Sequence, residues 1–222
     1  GSEMCIRDSF ENIAGDVGVD LEDVALFAGG GVGALQPALD CLKAGKHLFI
    51  EKPPGADSEE TRQLLAAAEA NDVYVMVGLQ RRFAAVTREA VRRVAEKGPV
   101  SLATTTFNKQ QLGGDCKEFS TTLWNDVVHI VDLLRYMAGG NVKWVFGEME
   151  SDVEAAGEGD LQGNGYLVFD NNVRGYLRST PCGVTFWEVD VIGEKGRIRS
   201  VADATDFELI RLAPGGRRGP VS

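Results

Sequence analysis

The sequence HLFIEKPP at residues 47–54 decides the fold of the first half of this chain. Its apolar run at residues 48–50 is typical of a parallel strand that is buried on both faces. Glu51 and Lys52 follow at the carboxyl end of that strand, where open α/β sheets bind their ligands. The two prolines after them cannot donate backbone hydrogen bonds, so the strand ends there. Lys52 is thus a candidate for ligand contact, with an ordinary solvated lysine as the alternative.

Composition and charge exclude several classes of protein. The chain has 222 residues and a net charge of −10, which argues against nucleic acid or an anionic membrane as a partner. No apolar run approaches the roughly 20 residues that a membrane-spanning helix needs. Four scattered cysteines without a CxxC motif and only two histidines predict no metal site. Free thiols are typical of a reducing compartment, so we expect a cytoplasmic protein.

Similar apolar runs lie on both sides of this strand in the sequence. Further buried strands are predicted at residues 24–28 and 73–77, with helices at residues 35–44 and 57–71. The order strand–helix–strand–helix–strand with short connections predicts a doubly wound parallel sheet.

A glycine-rich turn follows the strand at residues 24–28. Gly29, Gly31 and Ala34 match G-x-G-x-x-A between a strand and a helix, and Glu51 lies where a ribose-binding acid is expected. The pattern alone therefore indicates a dinucleotide-binding turn. Glycine-rich connections are common in α/β proteins, so an ordinary turn is the alternative.

The pattern changes after residue 83, where we place a domain boundary between residues 1–83 and 84–214. Alternation of apolar and polar residues predicts a mostly antiparallel sheet with helices on one face. The predicted helices are 87–96 and 121–137, and the predicted strands are 100–107, 143–149, 166–169, 173–179, 185–192, 198–201 and 207–212. A hairpin turn is predicted at residues 170–172, a mobile loop at 155–165 and a disordered tail at 215–222.

The helix predicted at residues 121–137 carries one of the two histidines. Asn125 and His129 are four residues apart and would share a helix face, with Asp126 and Asp132 three residues to either side of the histidine. An imidazole with such partners can act as a general base near neutral pH. The alternative is a histidine on a polar helix face with no chemical role.

Three motifs together resemble those of the Gfo/Idh/MocA oxidoreductases. They are AGKHLFIEKP at residues 44–53, VGLQRRF at 77–83 and NDVVHIVDLLR at 125–135, in the order found in that family. The resemblance spans roughly residues 24–201. It implies part of a Rossmann NAD(P)-binding domain followed by an α/β domain with a large open sheet, through which members often form homo-oligomers.

The resemblance also implies roles for individual residues. Lys52 and His129 would be catalytic, with His129 exchanging the hydroxyl proton, and Asn125 stands where many members have an aspartate. The residues that would border the nicotinamide are Gly29, Gly30, Gly31, Glu51, Lys52 and Pro53. The glycine run is then a nicotinamide-side loop rather than the phosphate-binding turn. Gln80 and Arg82 would line the substrate crevice, although a salt bridge at the domain linker is the alternative for Arg81 and Arg82.

We expect the family's first strand and its phosphate-binding turn to lie upstream of this chain. Residues 1–9, with MCIRDS at 4–9, are interpreted as a foreign adapter-derived segment. The expected function is hydride transfer between NAD or NADP and a sugar, polyol or related hydroxy compound. The alternatives are a non-catalytic binding protein, favoured by the missing phosphate turn and Asn125, and a double-bond reductase that needs no histidine base.

Overall fold

A computed structural model describes residues 20, 23–27, 30–31, 33–108, 124, 127–150, 162–180, 186–201, 206–212 and 218–219. The chain forms two compact units, Gly1–Gln80 and Arg81–Ser222. None of the helices in these described ranges is long and apolar enough to cross a membrane.

The first unit contains the predicted parallel sheet. Its strands β1, β2 and β3 lie side by side in chain order, and both neighbouring pairs are parallel. The elements are β1 (Val24–Phe27), α1 (Leu35–Lys43), β2 (His47–Ile50), α2 (Ser58–Asn71) and β3 (Val75–Val77). The predicted fold class of this half is confirmed.

Helix α2 begins and ends where its sequence indicates. The Asp57 carboxylate accepts hydrogen bonds from the main-chain N–H groups of Glu59 (2.8 Å) and Glu60 (2.9 Å), which makes it the N-cap. At the other end Asp72 adopts the left-handed conformation with φ of 53°. Between these caps Leu64 and Ala68 are buried and join the core beneath β2.

The second unit is an eight-stranded sheet with two helices among its described residues. The strand order is β11-β10-β9-β8-β4-β7-β6-β5. The elements are α3 (Ala85–Ala95), β4 (Val100–Asn108), α4 (Val128–Ala138), β5 (Val142–Glu150), β6 (Gln162–Phe169), β7 (Arg174–Thr180), β8 (Phe186–Gly193), β9 (Gly196–Val201), β10 (Asp206–Leu212) and β11 (Arg218–Gly219). The mostly antiparallel sheet is therefore confirmed, with β4 and β7 as a parallel pair in its centre.

Several boundaries differ from the prediction, and three of the differences change the type of structure assigned. Helix α4 begins at Val128, and the residues described before it, Trp124 and Val127, have π-helical rather than α-helical geometry. Residues 162–165, predicted as loop, belong to β6 because they pair with β5. Residues 218–219, predicted as disordered tail, pair with the end of β10.

Both described helices of the second unit pack on one face of its sheet. Helix α4 lies over the centre, where Ile130, Leu133 and Leu134 are buried together with β-strand side chains. Helix α4 packs closely on the sheet at Gly175 of β7. A Cβ atom there would lie 2.9 Å from the ring of Phe169 and 3.2 Å from Leu134 Cδ2.

We expect Gly175→Ala to lower the free energy of unfolding by about 1–3 kcal/mol, because overpacking forces the core to shift. Gly165→Ala is the matched control. A Cβ at Gly165 would meet its nearest atom at 3.6 Å, so this variant should be neutral or up to about 1 kcal/mol more stable. Urea unfolding measures both variants, and equal effects would contradict the close approach of α4 to β7.

Candidate functional site

Two segments of the first unit meet at the carboxyl ends of β1 and β2. A Cβ atom at Gly30 would lie 2.7–2.9 Å from the main-chain carbonyl oxygens of residues 51–53. The next N–H group, that of Gly31, donates to the carbonyl oxygen of Pro53 at 2.7 Å. Only a residue without a side chain allows this approach. The predicted cofactor-binding residues Gly30, Gly31 and Glu51–Pro53 thus form one cluster, while Gly29 lies outside the described residues.

The end of β3 adds a third glycine to this cluster. A Cβ at Gly78 would lie 3.2 Å from Oε2 of Glu51, and the same Oε2 accepts a 3.3 Å hydrogen bond from the main-chain N–H of Lys52. Lys52 is half-buried, and the Lys52–Pro53 peptide bond is cis. Gly78 was not among the predicted site residues. Its position directly after a buried strand is the signal that could have identified it.

The two histidines have different surroundings. His47 accepts a hydrogen bond at Nδ1 from the main-chain N–H of Tyr74 at 3.0 Å and stacks on the Tyr74 ring. These contacts tie β2 to the segment before β3, which is a structural role. His129 lies in the first turn of α4, is half-buried, and has a buried Nδ1 atom.

The predicted partners of His129 are only partly described. Asn125 and Asp126 lie outside the described residues. Lys52 belongs to the first unit and His129 to the second, so their expected pairing across a crevice stays a prediction. Asp132 is described, and its carboxylate pairs with Arg82.

The arginines of the RRF motif are both engaged inside the second unit. Arg82 Nε donates to Asp132 Oδ2 at 2.9 Å, and its Nη2 donates to Oδ1. The Arg81 guanidinium lies 4.4 Å from the centre of the Trp187 ring. These contacts explain why the second unit begins at Arg81, before the boundary expected at residue 83. The salt-bridge alternative for Arg82 is confirmed, and a substrate contact by Gln80 or Arg82 stays a prediction.

The pairing with Asp132 raises the pKa of Arg82 through the side-chain hydrogen bond, against the opposing effect of burial. Arg82 is therefore a permanent cation in this site. Asp132 is only 8% exposed, so bulk water competes little with Arg82 for its carboxylate. Among the described residues, no cluster of three His, Cys, Asp or Glu side chains is arranged to hold a metal ion.

Comparison with known proteins assigns both units to one family. Residues 8–79 match the model described as "Oxidoreductase family, NAD-binding Rossmann fold", and residues 96–199 match the model of the GFO/IDH/MocA C-terminal domain. Among curated proteins, the chain is 28% identical over 167 residues to myo-inositol 2-dehydrogenase of Thermotoga maritima, which covers 71% of this chain and 50% of that protein. The chain thus spans about half the length of this relative.

Solved structures share the fold at low sequence identity. Levoglucosan dehydrogenase in complex with NADH and L-sorbose superposes with a TM-score of 0.74 at 18% identity, covering 89% of this chain and 59% of that one. The WlbA dehydrogenase of Bordetella pertussis, in complex with NADH and UDP-GlcNAcA, gives a TM-score of 0.72 at 20% identity, covering 86% and 64%. The matches to both domain models, together with the convergence of Gly30, Gly31 and the EKP segment, show that this chain belongs to the GFO/IDH/MocA family of NAD-binding oxidoreductases.

Proposed function

We propose that this chain belongs to an NAD-dependent dehydrogenase that transfers a hydride between the nicotinamide cofactor and a sugar, polyol or related hydroxy compound. The observation that carries the proposal is the meeting of Gly30 and Gly31 with residues 51–53 at the carboxyl edge of a parallel sheet. That edge is where open α/β sheets bind nucleotides. A non-catalytic binding protein is not favoured, because the chain carries both domains of an oxidoreductase family.

The residues at this edge suit the nicotinamide end of the cofactor. Gly30, Gly31 and Gly78 present main chain without side chains, and a Cβ at Gly33 would find open space within 4 Å. The Glu51–Pro53 segment fills the space beside Gly30 and Gly78, so we place the flat nicotinamide ring at the open space beside Gly33. We assign cofactor contacts to Gly29, Gly30, Gly31, Glu51, Lys52 and Pro53. When bound, the cofactor supplies the hydride acceptor, and the protein supplies position and electrostatics.

We assign the acceptance of the hydroxyl proton and the stabilisation of the developing negative charge to two side chains. His129 accepts the substrate hydroxyl proton, because a neutral imidazole is a base near physiological pH. Lys52 donates a hydrogen bond to the same oxygen and stabilises the negative charge that develops there. As the resemblance of the motif at residues 125–135 implies, we assign the orientation of the imidazole to Asn125.

Substrate contacts are assigned to Gln80 and Arg82. Gln80 is exposed at the end of the first unit and can reach a ligand hydroxyl. Arg82 uses Nε and Nη2 on Asp132, so a substrate contact falls to its Nη1 group. Polyhydroxylated substrates are supported by the relatives, which include a myo-inositol dehydrogenase and a levoglucosan dehydrogenase. The scattered cysteines of the sequence support a cytoplasmic enzyme.

The test of this function is a panel of polyols and sugars assayed with NAD. We expect Lys52→Ala to lower kcat/KM by about 10²–10³-fold, as for other oxyanion donors. His129→Ala should lower it by about 10²–10⁴-fold through loss of the general base. Lys43→Ala and His47→Gln are the matched controls and should keep wild-type turnover. Unchanged turnover in Lys52→Ala and His129→Ala would contradict the assigned roles.

Cofactor binding has a separate test by calorimetry with NADH. Gly30→Ala places a methyl group against three carbonyl oxygens, so the cluster must shift, and we expect NADH affinity to fall at least about tenfold, or about 1.4 kcal/mol. Gly165→Ala, in the second unit, should leave the affinity unchanged. Equal NADH affinities in the two variants would contradict the placement of the nicotinamide at Gly30.

We further propose that the chain forms a homo-oligomer through the open face of the second-unit sheet, the face opposite α3 and α4. Aromatic side chains cluster there: Trp144 (51% exposed) and Phe146 (66% exposed) lie on β5, with Tyr166 and Tyr176 on the next two strands. Exposed apolar patches of this kind are typical of protein interfaces.

Charge favours a second copy as the occupant of this face. Two acids on β8, Glu188 and Asp190, pair with Arg199 and Arg197 on β9. Arg178 Nη2 also lies 3.8 Å from Glu188 Oε1, so the acids of β8 are paired with arginines in a chain whose net charge is −10. Because these two acids are neutralised, they add little to the repulsion between two copies that approach here.

Phe146→Glu should shift the chain toward the monomer in analytical ultracentrifugation, because a buried charge in the contact is costly. Leu65→Glu is the matched control, since Leu65 is 58% exposed on α2 of the first unit. That variant should keep the wild-type mass. A wild-type monomer, or an unchanged oligomer in Phe146→Glu, would contradict the interface.

A further inference from the structure

The fork between Arg82 and Asp132 joins two distant parts of the second unit. Arg82 belongs to the 3-10 turn Gln80–Phe83, and Asp132 lies in the second turn of α4. Two N–H groups of the guanidinium contact the two carboxylate oxygens, which is the geometry of a strong, orientation-specific ion pair. The guanidinium also lies 5.8 Å from the centre of the Tyr136 ring, one turn further along α4.

The start of helix α4 has no side-chain cap. Its N-cap position, Val127, supplies no side-chain hydrogen bond to the first turn. Trp124 and Val127 have π-helical geometry, so the helix type changes at this point. Contacts from other elements therefore help to fix the first turn, and one of them is that of Thr105 Oγ1, which donates to the carbonyl oxygen of Ile130 at 3.5 Å.

His129 lies in this first turn. Asp132 follows it by three residues, so the two side chains project from neighbouring positions on one helix face. A constraint on Asp132 therefore restricts the rotation and fraying of the turn that carries His129. Because Asp132 is 8% exposed, the constraint acts where water competes little for the carboxylate.

The partner of Asp132 is itself fixed. Arg81, the neighbour of Arg82, lies over the Trp187 ring of β8, and Trp187 is 4% exposed. The 3-10 turn is thus attached to the sheet through Arg81 and to α4 through Arg82. Because the 3-10 turn is attached to the sheet, Arg82 opposes a movement of α4 and does not move with it.

We propose that Arg82 is a positioning residue, which holds the first turns of α4 through its fork on Asp132 so that His129 keeps a single orientation. The inference rests on the proposed function only in that His129 is the proton acceptor of the reaction. Arg82 acts through Asp132 and the helix. Breaking the fork at Asp132 should therefore affect kcat more than KM, because the misplaced group is one needed in the transition state.

The test uses the imidazole signals of the intact chain in carbon–proton NMR spectra. The chain has only two histidines, and His47, held by the main chain of Tyr74, serves as an internal reference. Arg82→Gln should shift and broaden the His129 signal while the His47 signal stays in place. Arg82→Lys keeps the charge but loses the planar fork, so it should restore the signal only in part.

Arg92→Gln is the matched control and should leave the His129 signal unchanged, because Arg92 pairs with Glu89 of α3 and with Glu96 directly after it rather than with α4. In the polyol assay Asp132→Asn, which breaks the fork but keeps the Nη1 group of Arg82, should lower kcat about tenfold with KM changed less than about twofold. If Arg82→Gln fails to fold, Asp132→Asn replaces it, since the amide keeps the shape of the side chain and loses its charge.

An unchanged His129 signal in folded Arg82→Gln or Asp132→Asn protein would overturn the proposal. Complete rescue by Arg82→Lys would also overturn it, because charge alone would then suffice. Both results are independent of turnover. The proposed function fails by a different result, namely wild-type turnover in His129→Ala, so the two failures are distinguishable.

Discussion

The approach of the Gly30 main chain to the carbonyl oxygens of residues 51–53 determines the ligand edge of the first unit. Strands β1 and β2 pair in parallel from Val24↔His47 to Phe27↔Ile50. The hydrogen bond from Gly31 to Pro53 joins the two chain segments beyond the last ladder pair. The backbone of Lys52 therefore lies between strand β2 and the hydrogen-bonded Pro53, which fixes the position of its Cα atom.

The second unit positions its site differently, through a helix whose two ends are secured unequally. The carboxyl end of α4 is capped by Gly139 in the left-handed conformation, and Asn171 Nδ2 donates to the Ala138 carbonyl oxygen at 2.8 Å. The amino end, with His129, has no side-chain cap. That end is held by packing and by contacts from other elements, since Val127 and Ile130 are fully buried and Asp132 pairs with Arg82.

Structural features that depend on residues close together in the sequence were predicted correctly. The strand at β2, the cap at Asp57 and the hairpin turn at Asn172, where φ is 65°, all follow from local patterns. The parallel pairing of β4 with β7 did not follow, because the alternation of β4 fits either direction. The Arg82–Asp132 pair joins positions 50 residues apart, and no local pattern encodes it. Likewise, the motif at residues 47–54 identified Glu51 and Lys52, but it could not show that Gly30 and Gly78 pack against that segment.

The two faces of the second-unit sheet carry different elements and side chains. Helices α3 and α4, and with them His129, lie on one face. On the other, Glu188 and Asp190 are 6% and 4% exposed although the described helices do not cover them. Arg197 and Arg199 of the neighbouring strand β9 donate hydrogen bonds to these two carboxylates. A partner copy on that face would meet satisfied charges and an aromatic patch, so association there leaves the helix that carries His129 accessible to substrate.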